Sequence, residues 1–287
     1  MKKLMFIKRS QGSHWVGNGF PVRNIFSYND IAKEMSPFLL MDYAGPAEFP
    51  PTTQRLGVGA HPHRGFETVT IVYSGGVSHR DSSGAGGTIG PGDVQWMTAG
   101  SGLLHEEFHS PEFAKMGGSF EVIQLWVNLP AALKMEAPAY QPILRSQIPE
   151  IHFPWGCARM IAGTYQDIAG PARTHTPMNV WDLRLKGGNR VRLDLSEGHT
   201  VGVYVLKGGI QFDGPSVIGP AELAILERNE SRLEFDVIQD AIVLFLSGEP
   251  IEEPIIGQGP LVRNTAEEIR EAFRDFKEGR FGNLEEH

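Results

Sequence analysis

One cysteine, Cys157, is present among the 287 residues of the chain. An internal disulfide is therefore excluded, and so is a metal site built from several thiolates. The sequence also lacks any apolar run close to the ~18 residues that a membrane-spanning helix requires. The apolar stretch at residues 4–7 is far shorter than the core of a signal peptide. We therefore expect a cytoplasmic protein that does not bind membranes.

Positive charge is scarce as well. The chain has 26 Lys and Arg residues against 34 Asp and Glu residues, which gives a net charge of −8. Affinity for the phosphates of nucleic acids depends mostly on Lys and Arg side chains, and no block of basic residues is present. The sequence therefore predicts no direct binding to nucleic acid.

Glycine and proline, in contrast, are abundant, with 34 and 20 residues. They separate short runs that are rich in β-branched residues, a pattern typical of a β-sandwich or β-barrel. We therefore predict an all-β protein. The runs lie at residues 68–73, 120–129, 180–185, 190–195 and 242–246.

Two blocks of sequence recur in the same order. TVTIVYSGGV at 68–77 resembles TVGVYVLKGGI at 200–210, and IGPGDVQWM at 89–97 resembles IGPAELAIL at 218–226. Such a repeat indicates two copies of one β unit. We therefore expect an N-terminal domain at 1–140 and a C-terminal domain at 141–287. The second domain includes a short C-terminal helix, which begins at the capping box of Thr265 and Glu268.

Two pairs of side chains have the spacing of metal ligands. His61 and His63 are two residues apart, and so are His105 and Glu107. Residues at i and i+2 of a strand point to the same face. Pro62 has no N–H to donate, which favours an edge position for its strand. Three imidazoles and one carboxylate suit a divalent transition metal, with Fe(II), Ni, Mn, Cu and Zn all compatible.

Several longer motifs surround these ligands, and together they resemble the pirin family over nearly the whole chain. Members of this family are bicupins with two antiparallel β-barrel domains. The resemblance implies a metal, most often iron, held in the N-terminal domain at His61, His63, His105 and Glu107. The matching motifs are HPHRGFET at 61–68, PGDVQWMTAG at 91–100, FLLMD at 38–42, QLWVNL at 124–129, GEP at 248–250, and Gly259, Pro260, Asn264 and Thr265.

Glu67 competes with Glu107 for the fourth ligand position. The wider cupin pattern H-x-H-x-x-x-E makes Glu67 a ligand, whereas the resemblance to pirins favours Glu107. Spacing alone leaves both open. In the second copy, the four aligned positions hold Asp194, Ser196, Glu234 and Asp236, with no histidine. We therefore expect the C-terminal domain to be free of metal.

Some pirins resemble quercetin 2,3-dioxygenases. This likeness implies an enzyme in which Glu107, or Glu67, accepts the proton of a flavonol hydroxyl before O2 cleaves the heterocycle. One face of residues 120–129 carries Phe120, Gln124 and Trp126, which we expect to line the pocket for an aromatic phenol.

Pirins also resemble iron-dependent regulators. The alternative is therefore a redox sensor without catalysis, which binds protein partners. A third possible activity is the isomerisation of sugars. Phosphorylated sugars are disfavoured as substrates, because no cluster of Lys and Arg residues is present to bind a phosphate. We expect a monomer.

Overall fold

The computed structural model describes residues 1–10 and 12–284. Strands account for 54% and helices for 10% of the chain, so the all-β prediction is confirmed. The strands, numbered along the chain, are β1 (Leu4–Arg9), β2 (His14–Val16), β3 (Phe20–Phe26), β4 (Phe38–Phe49), β5 (Gly57–His63), β6 (Phe66–Ser74), β7 (Val77–Asp81), β8 (Gly86–Ile89), β9 (Val94–Thr98), β10 (Leu103–His109), β11 (Gly118–Asn128), β12 (Ala139–Ile143), β13 (Glu150–Phe153), β14 (Gly156–Ala162), β15 (Thr164–Tyr165), β16 (Ile168–Ala169), β17 (Met178–Leu185), β18 (Arg190–Asp194), β19 (Thr200–Gln211), β20 (Val217–Ile218), β21 (Glu222–Leu226), β22 (Arg232–Gly248), β23 (Ile256–Gln258) and β24 (Leu261–Arg263).

Three α-helices interrupt the strands within the described residues: α1 (Ala32–Met35), α2 (Pro111–Met116) and α3 (Ala266–Lys277). Two short 3₁₀ helices cover Ala131–Leu133 and Arg145–Gln147. The predicted capping box at the start of α3 is present, since the Thr265 hydroxyl accepts from the Glu268 amide and the Glu268 carboxylate accepts from the Thr265 amide. In the part of the chain that the structure describes, no helix has the length and apolar character to cross a bilayer.

The chain forms two compact units, and each combines segments that are distant in sequence. The first unit contains residues 12–30, 38–145 and 251–284, and the second contains residues 1–10, 31–37 and 146–250. These units differ from the predicted ranges 1–140 and 141–287 at both ends of the chain. Strand β1 pairs with β21 in the second unit. The segment that carries α3 packs instead on the first unit, because Leu261, Ile269 and Phe281 share an apolar cluster with Leu104.

The first unit is built from two antiparallel sheets and the small β23–β24 pair. The larger sheet has the order β12-β9-β6-β11-β4-β3-β2, and the smaller has the order β5-β10-β7-β8. Strand β5 is therefore an edge strand, as Pro62 predicts. Most residues of β6 are buried, because both faces of this strand are covered.

The second unit consists of one nine-stranded antiparallel sheet and the small β15–β16 pair. The path of the larger sheet is β1-β21-β19-β22-β17-β14-β13, with β18 on β22 and β20 on β19. The core of this unit is a single cluster of apolar side chains that includes Trp181, Phe235 and Phe245.

The sequence repeat corresponds to equivalent strands in the two units. Strand β6 pairs with β9, and β19 pairs with β21 in the same antiparallel manner. The copies differ at their Gly-Gly pairs. Gly75 and Gly76 turn the chain from β6 to β7, whereas Gly208 and Gly209 lie inside β19, where its register against β22 shifts. The second Gly-Gly pair therefore forms a bulge instead of a turn.

A short connection at Gly65 positions the residues of interest. The chain leaves β5 of the smaller sheet after His63 and enters β6 of the larger sheet at Phe66. Gly65 has a φ of +88°, and a Cβ there would lie 1.9 Å from the Val262 carbonyl oxygen. Only glycine fits this corner, which holds His63 and Phe66 side by side.

Candidate metal centre

Three of the predicted ligands meet on neighbouring strands. In the register of β5 with β10, His61 is opposite His105, and His63 is opposite Leu103. Ring nitrogens of His61, His63 and His105 lie within 4.8 Å of one another. His105 of the second predicted pair therefore meets both histidines of the first pair, whereas Glu107 is opposite Val58, beyond a shift in the strand register.

The hydrogen bonds of His61 and His63 decide which ring nitrogen is free. His61 Nδ1 donates to the Gly59 carbonyl at 2.9 Å, and His63 Nδ1 donates to the Pro260 carbonyl at 3.4 Å. A carbonyl oxygen only accepts, so both Nδ1 atoms carry the proton. The lone pair of each neutral ring is then on Nε2, as in many metal-binding histidines.

The ring of His105 shows whether these residues fit a metal ion. Its side chain is completely buried, and its Nε2 has no hydrogen-bond partner among residues 1–10 and 12–284. A buried polar atom without a partner costs free energy. A cation between the three rings would satisfy this nitrogen, and the donor set suits such an ion.

Burial also keeps the two inner imidazoles neutral. It holds the pKa of His63 and of His105 well below the ordinary value, and the neighbouring His61 lowers the pKa of each further. Neutral imidazole is the form that binds metals.

Glu107 belongs to a second group of donors. One carboxylate oxygen of Glu107 lies within 4.8 Å of ring nitrogens of His79 and His105, so His105 is common to both groups. The Glu107 carboxylate is held by amides and a hydroxyl from three strands. Its Oε1 accepts from Gln95 Nε2 at 2.5 Å and lies 3.2 Å from the Thr70 hydroxyl, while its Oε2 accepts from Gln124 Nε2 at 2.8 Å.

Comparisons with known proteins identify the family of this chain. The sequence profile of the Pirin family matches residues 19–127, and that of the Pirin C-terminal cupin domain matches residues 180–282. The chain belongs to the pirin family. The predicted bicupin class is thereby confirmed.

Three relatives show how close the likeness is. A Pseudomonas aeruginosa protein provisionally named quercetin 2,3-dioxygenase is 56% identical over 283 residues, which cover 98% of this chain and 99% of that protein. Human pirin is 35% identical over 287 residues, with 97% of this chain and 93% of the human protein covered. The crystal structure of a quercetin 2,3-dioxygenase from Acinetobacter baumannii superposes with a TM-score of 0.96 at 51% identity, and covers 99% of this chain and 100% of that one.

Glu67, the competing acid, lies elsewhere in this pirin. Thr70 of β6 contacts Glu107, so Glu67, three residues earlier, faces the opposite side of the sheet. Its Oε1 accepts from the Thr98 hydroxyl at 2.7 Å. The structure therefore does not bring Glu67 into the histidine cluster, although its spacing fits the wider cupin pattern. The chain turns at Gly65 between His63 and Glu67, which breaks the alternation that the spacing assumes.

The three predicted pocket residues separate into two places. Gln124 binds Glu107, and the Trp126 ring lies 5.3 Å from His63 and 4.3 Å from Phe66, stacked on the latter. Phe120 is instead fully buried in an aromatic cluster, where it stacks on His109 at 4.5 Å. The aromatic wall beside the histidines thus contains Phe66, which the sequence analysis did not predict.

Several polar residues of this pirin site were missed from sequence. His79 Nδ1 lies 3.3 Å from His105 Nδ1, and His79 Nε2 lies 3.1 Å from Asp81 Oδ2. Tyr140 stacks on His79, and burial raises the pKa of Tyr140 to about 12. The available signal was the spacing of His79 and Asp81, which repeats that of His61 and His63 on β5, the strand on the other side of β10.

The second unit brings together Glu150, His152 and Cys157, whose donor atoms lie within 4.8 Å of one another. Cys157 is directly opposite His152 on the β13–β14 hairpin. Glu150 lies two residues before His152 on the same strand, and only Cys157 comes from across the hairpin.

Proposed function

We propose that this pirin is a metal-dependent dioxygenase that cleaves a flavonol such as quercetin with O2, opening the heterocycle and releasing carbon monoxide. The observation that supports this most is the buried Nε2 of His105, which has no hydrogen-bond partner among residues 1–10 and 12–284, in a ring with a nitrogen within 4.8 Å of nitrogens of His61 and His63. An aromatic wall and a carboxylate adjoin the same histidines. The likeness to proteins named quercetin 2,3-dioxygenase supports the choice of substrate.

His61, His63 and His105 would hold the ion through their Nε2 atoms, and Glu107 would supply the fourth ligand. We favour Fe(II), while Ni, Mn, Cu and Zn also suit three imidazoles and a carboxylate. When bound, such an ion supplies Lewis acidity that lowers the pKa of a hydroxyl group and brings redox chemistry to O2.

Glu107 is the residue that we propose to take the flavonol proton. Each carboxylate oxygen has two lone-pair sites. Gln95 Nε2 donates to Oε1 and Gln124 Nε2 donates to Oε2. The single hydroxyl hydrogen of Thr70 lies nearer to Gln124 Oε1, at 2.8 Å, than to Glu107 Oε1, at 3.2 Å. Each carboxylate oxygen therefore keeps one lone-pair site, one for the ion and one for the phenolic proton, and the two amides keep the carboxylate oriented.

Trp126 orients the substrate in this proposal, and the fully buried Phe66 supports its ring from behind. The two rings are stacked at an interplanar angle of 29°, and both lie beside His63. A planar flavonol ring packs favourably on such a surface. The apolar wall also excludes water from the reacting hydroxyl.

The test measures quercetin absorbance and O2 uptake together, with the metal content determined on the same preparation. We expect matched loss of quercetin and O2 in the wild type, and loss of both in His61→Ala and after metal removal. His152→Ala is the matched control, because it removes a histidine of the second unit. Equal rates in the wild type, the metal-free protein and His61→Ala would contradict the proposal.

A further inference from the structure

His79 and Asp81 lie on β7, directly beside the strand that carries His105 and Glu107. In the register of the two strands, His105 is opposite Asp81, and Glu107 is opposite His79. The side chains of His79 and Asp81 are fully buried. The proposed function gives them no part in the reaction, yet they form an unbroken chain of contacts with the ring of His105.

We propose that Asp81 and His79 are positioning residues that fix the tautomer of His105, so that its Nε2 presents a lone pair to a metal. This inference rests on the metal-binding part of the proposed function. The Asp81 carboxylate Oδ2 accepts from His79 Nε2 at 3.1 Å, so the proton of His79 is on Nε2. His79 Nδ1 is then an acceptor, and His105 Nδ1, 3.3 Å away, donates to it.

The consequence is a common pattern for all three histidines. His61 and His63 each donate from Nδ1 to a backbone carbonyl. The third, His105, has the side chain of His79 in place of a carbonyl. Hydrogen bonds behind ligating histidines set ring orientation and tautomer in metal sites generally. The Tyr140 ring, parallel to His79 within 2° at 4.9 Å, keeps the His79 ring in the plane that this requires.

The hydrogen bonds of Asp81 Oδ1 determine how the side-chain amide would be oriented in Asp81→Asn. Asp81 Oδ1 accepts from the Ser83 amide at 2.8 Å, the Ser83 hydroxyl at 2.5 Å and the Ala85 amide at 3.3 Å. These donors require an oxygen. In Asp81→Asn, the amide oxygen therefore stays in the turn, and the NH2 group faces His79 Nε2.

Asp81→Asn thus reverses the whole chain of donors. The NH2 group donates to His79 Nε2, so the His79 proton moves to Nδ1 and is donated to His105 Nδ1. The His105 proton then occupies Nε2, the nitrogen that the metal needs. An Asp→Asn change behind a histidine is known to impose the wrong tautomer while leaving the geometry intact.

The experiment titrates Zn²⁺ into the full-length chain and records the ¹⁵N spectrum of its imidazoles before Zn²⁺ is added. We expect Asp81→Asn to bind Zn²⁺ about 10–100-fold more weakly than the wild type. The spectrum should show His105 protonated at Nδ1 in the wild type and at Nε2 in Asp81→Asn. Ser83→Ala is the matched control, since it perturbs the same turn without changing the partner of His79, and its Zn²⁺ affinity should equal that of the wild type.

The inference is overturned if wild-type His105 is protonated at Nε2, or if Asp81→Asn binds Zn²⁺ as tightly as the wild type. The wild-type spectrum decides the question even if Asp81→Asn does not fold. Failure of the proposed function is distinguishable, because a protein that binds Zn²⁺ as expected but never cleaves quercetin would contradict the dioxygenase alone.

Discussion

Glu67 and Glu107, the two acids that compete for the fourth ligand position, are both buried but have different surroundings. Glu107 accepts hydrogen bonds from the side-chain amides of Gln95 and Gln124 and lies beside His105. Glu67 accepts from Thr98 on the other face of β6. Proximity to the histidines therefore supports the proposal that Glu107, rather than Glu67, takes the flavonol proton.

Glu107→Gln tests this assignment. The amide retains the shape of the carboxylate but accepts no proton, and its NH2 group meets the donors of Gln95 or Gln124. We expect the rate of quercetin cleavage to fall by about 10²–10⁴-fold, the usual contribution of a positioned base. Steady-state assays of Glu107→Gln and Glu67→Gln at equal metal content provide the comparison. A larger loss in Glu67→Gln than in Glu107→Gln would reverse the assignment.

Lys134 is a buried lysine of the first unit, and both acceptors of its side-chain hydrogen bonds are neutral. It is 1% exposed, and its Nζ donates to the Gly65 carbonyl at 2.7 Å and to Asn128 Oδ1 at 2.5 Å. Burial, with a smaller effect of Arg263, lowers the pKa of Lys134 to about 7. The amine therefore anchors the corner beside His63 while it is largely neutral above this pH.

Stability should depend on pH through this lysine. An unfolded lysine has a pKa near 10.4, so between about pH 7 and 10 the unfolded chain binds more protons than the folded one. The free energy of unfolding should then rise with pH, by at most about 1.4 kcal/mol per pH unit. Unfolding of the wild type and Lys134→Met at pH 7 and pH 9 measures this slope. We expect the slope to be smaller in Lys134→Met, and identical slopes would disprove the effect of Lys134.

At the scale of elements, the corner after β5 is tied to helix α3. Arg64 donates to Asp275 of the helix at 2.8 Å, and the two side chains are only 5% and 9% exposed. Arg64 also donates to the Ser101 carbonyl and lies over the Phe281 ring. The helix thus supports the loop that follows His63.

Asp275→Ala should destabilise the first unit strongly, because it leaves the buried Arg64 without its charged partner. We expect a loss of about 3–5 kcal/mol, as for other buried pairs broken on one side. Glu278→Ala, on the exposed end of the same segment, removes a surface pair with Arg280. That control should cost about 1 kcal/mol or less. Thermal unfolding of the two variants checks the difference, and similar melting temperatures would contradict it.

Periodicity and local motifs predicted the elements well, and contacts across sheets less well. The strands at 120–129 and 180–185 and the capping box at Thr265 follow from local patterns. The i, i+2 spacing also predicted the convergence of His61 and His63 with His105. In contrast, His79 meets His105 only through the pairing of β7 with β10. Strand pairing depends on long-range register, which a local pattern does not specify.

At the scale of the whole molecule, the two units repeat a pattern of strands but not of ligands. The positions aligned with the first unit's ligands hold Asp194, Ser196, Glu234 and Asp236. These lie on or near β18 and β22, where Arg190 pairs with Asp236 and Arg232 with Asp194. Asp194 and Asp236, two of these four residues, thus form exposed ion pairs, which stabilise little.

The chain should therefore bind one metal ion tightly. The second unit does place Glu150, His152 and Cys157 together, but the first two are 42% and 76% exposed. Burial, with the charges of Glu150 and Asp182, raises the pKa of the Cys157 thiol, and Arg159 lies 3.9 Å from Glu150. A thiol ligand must lose its proton to bind a metal. We therefore expect any ion bound by Glu150, His152 and Cys157 to be removed by a chelator that leaves the ion at His61 in place. Elemental analysis after such treatment should give one ion per chain in the wild type and in Cys157→Ser, and none in His61→Ala. Two retained ions, with one lost in Cys157→Ser, would instead make the hairpin of the second unit a true metal site.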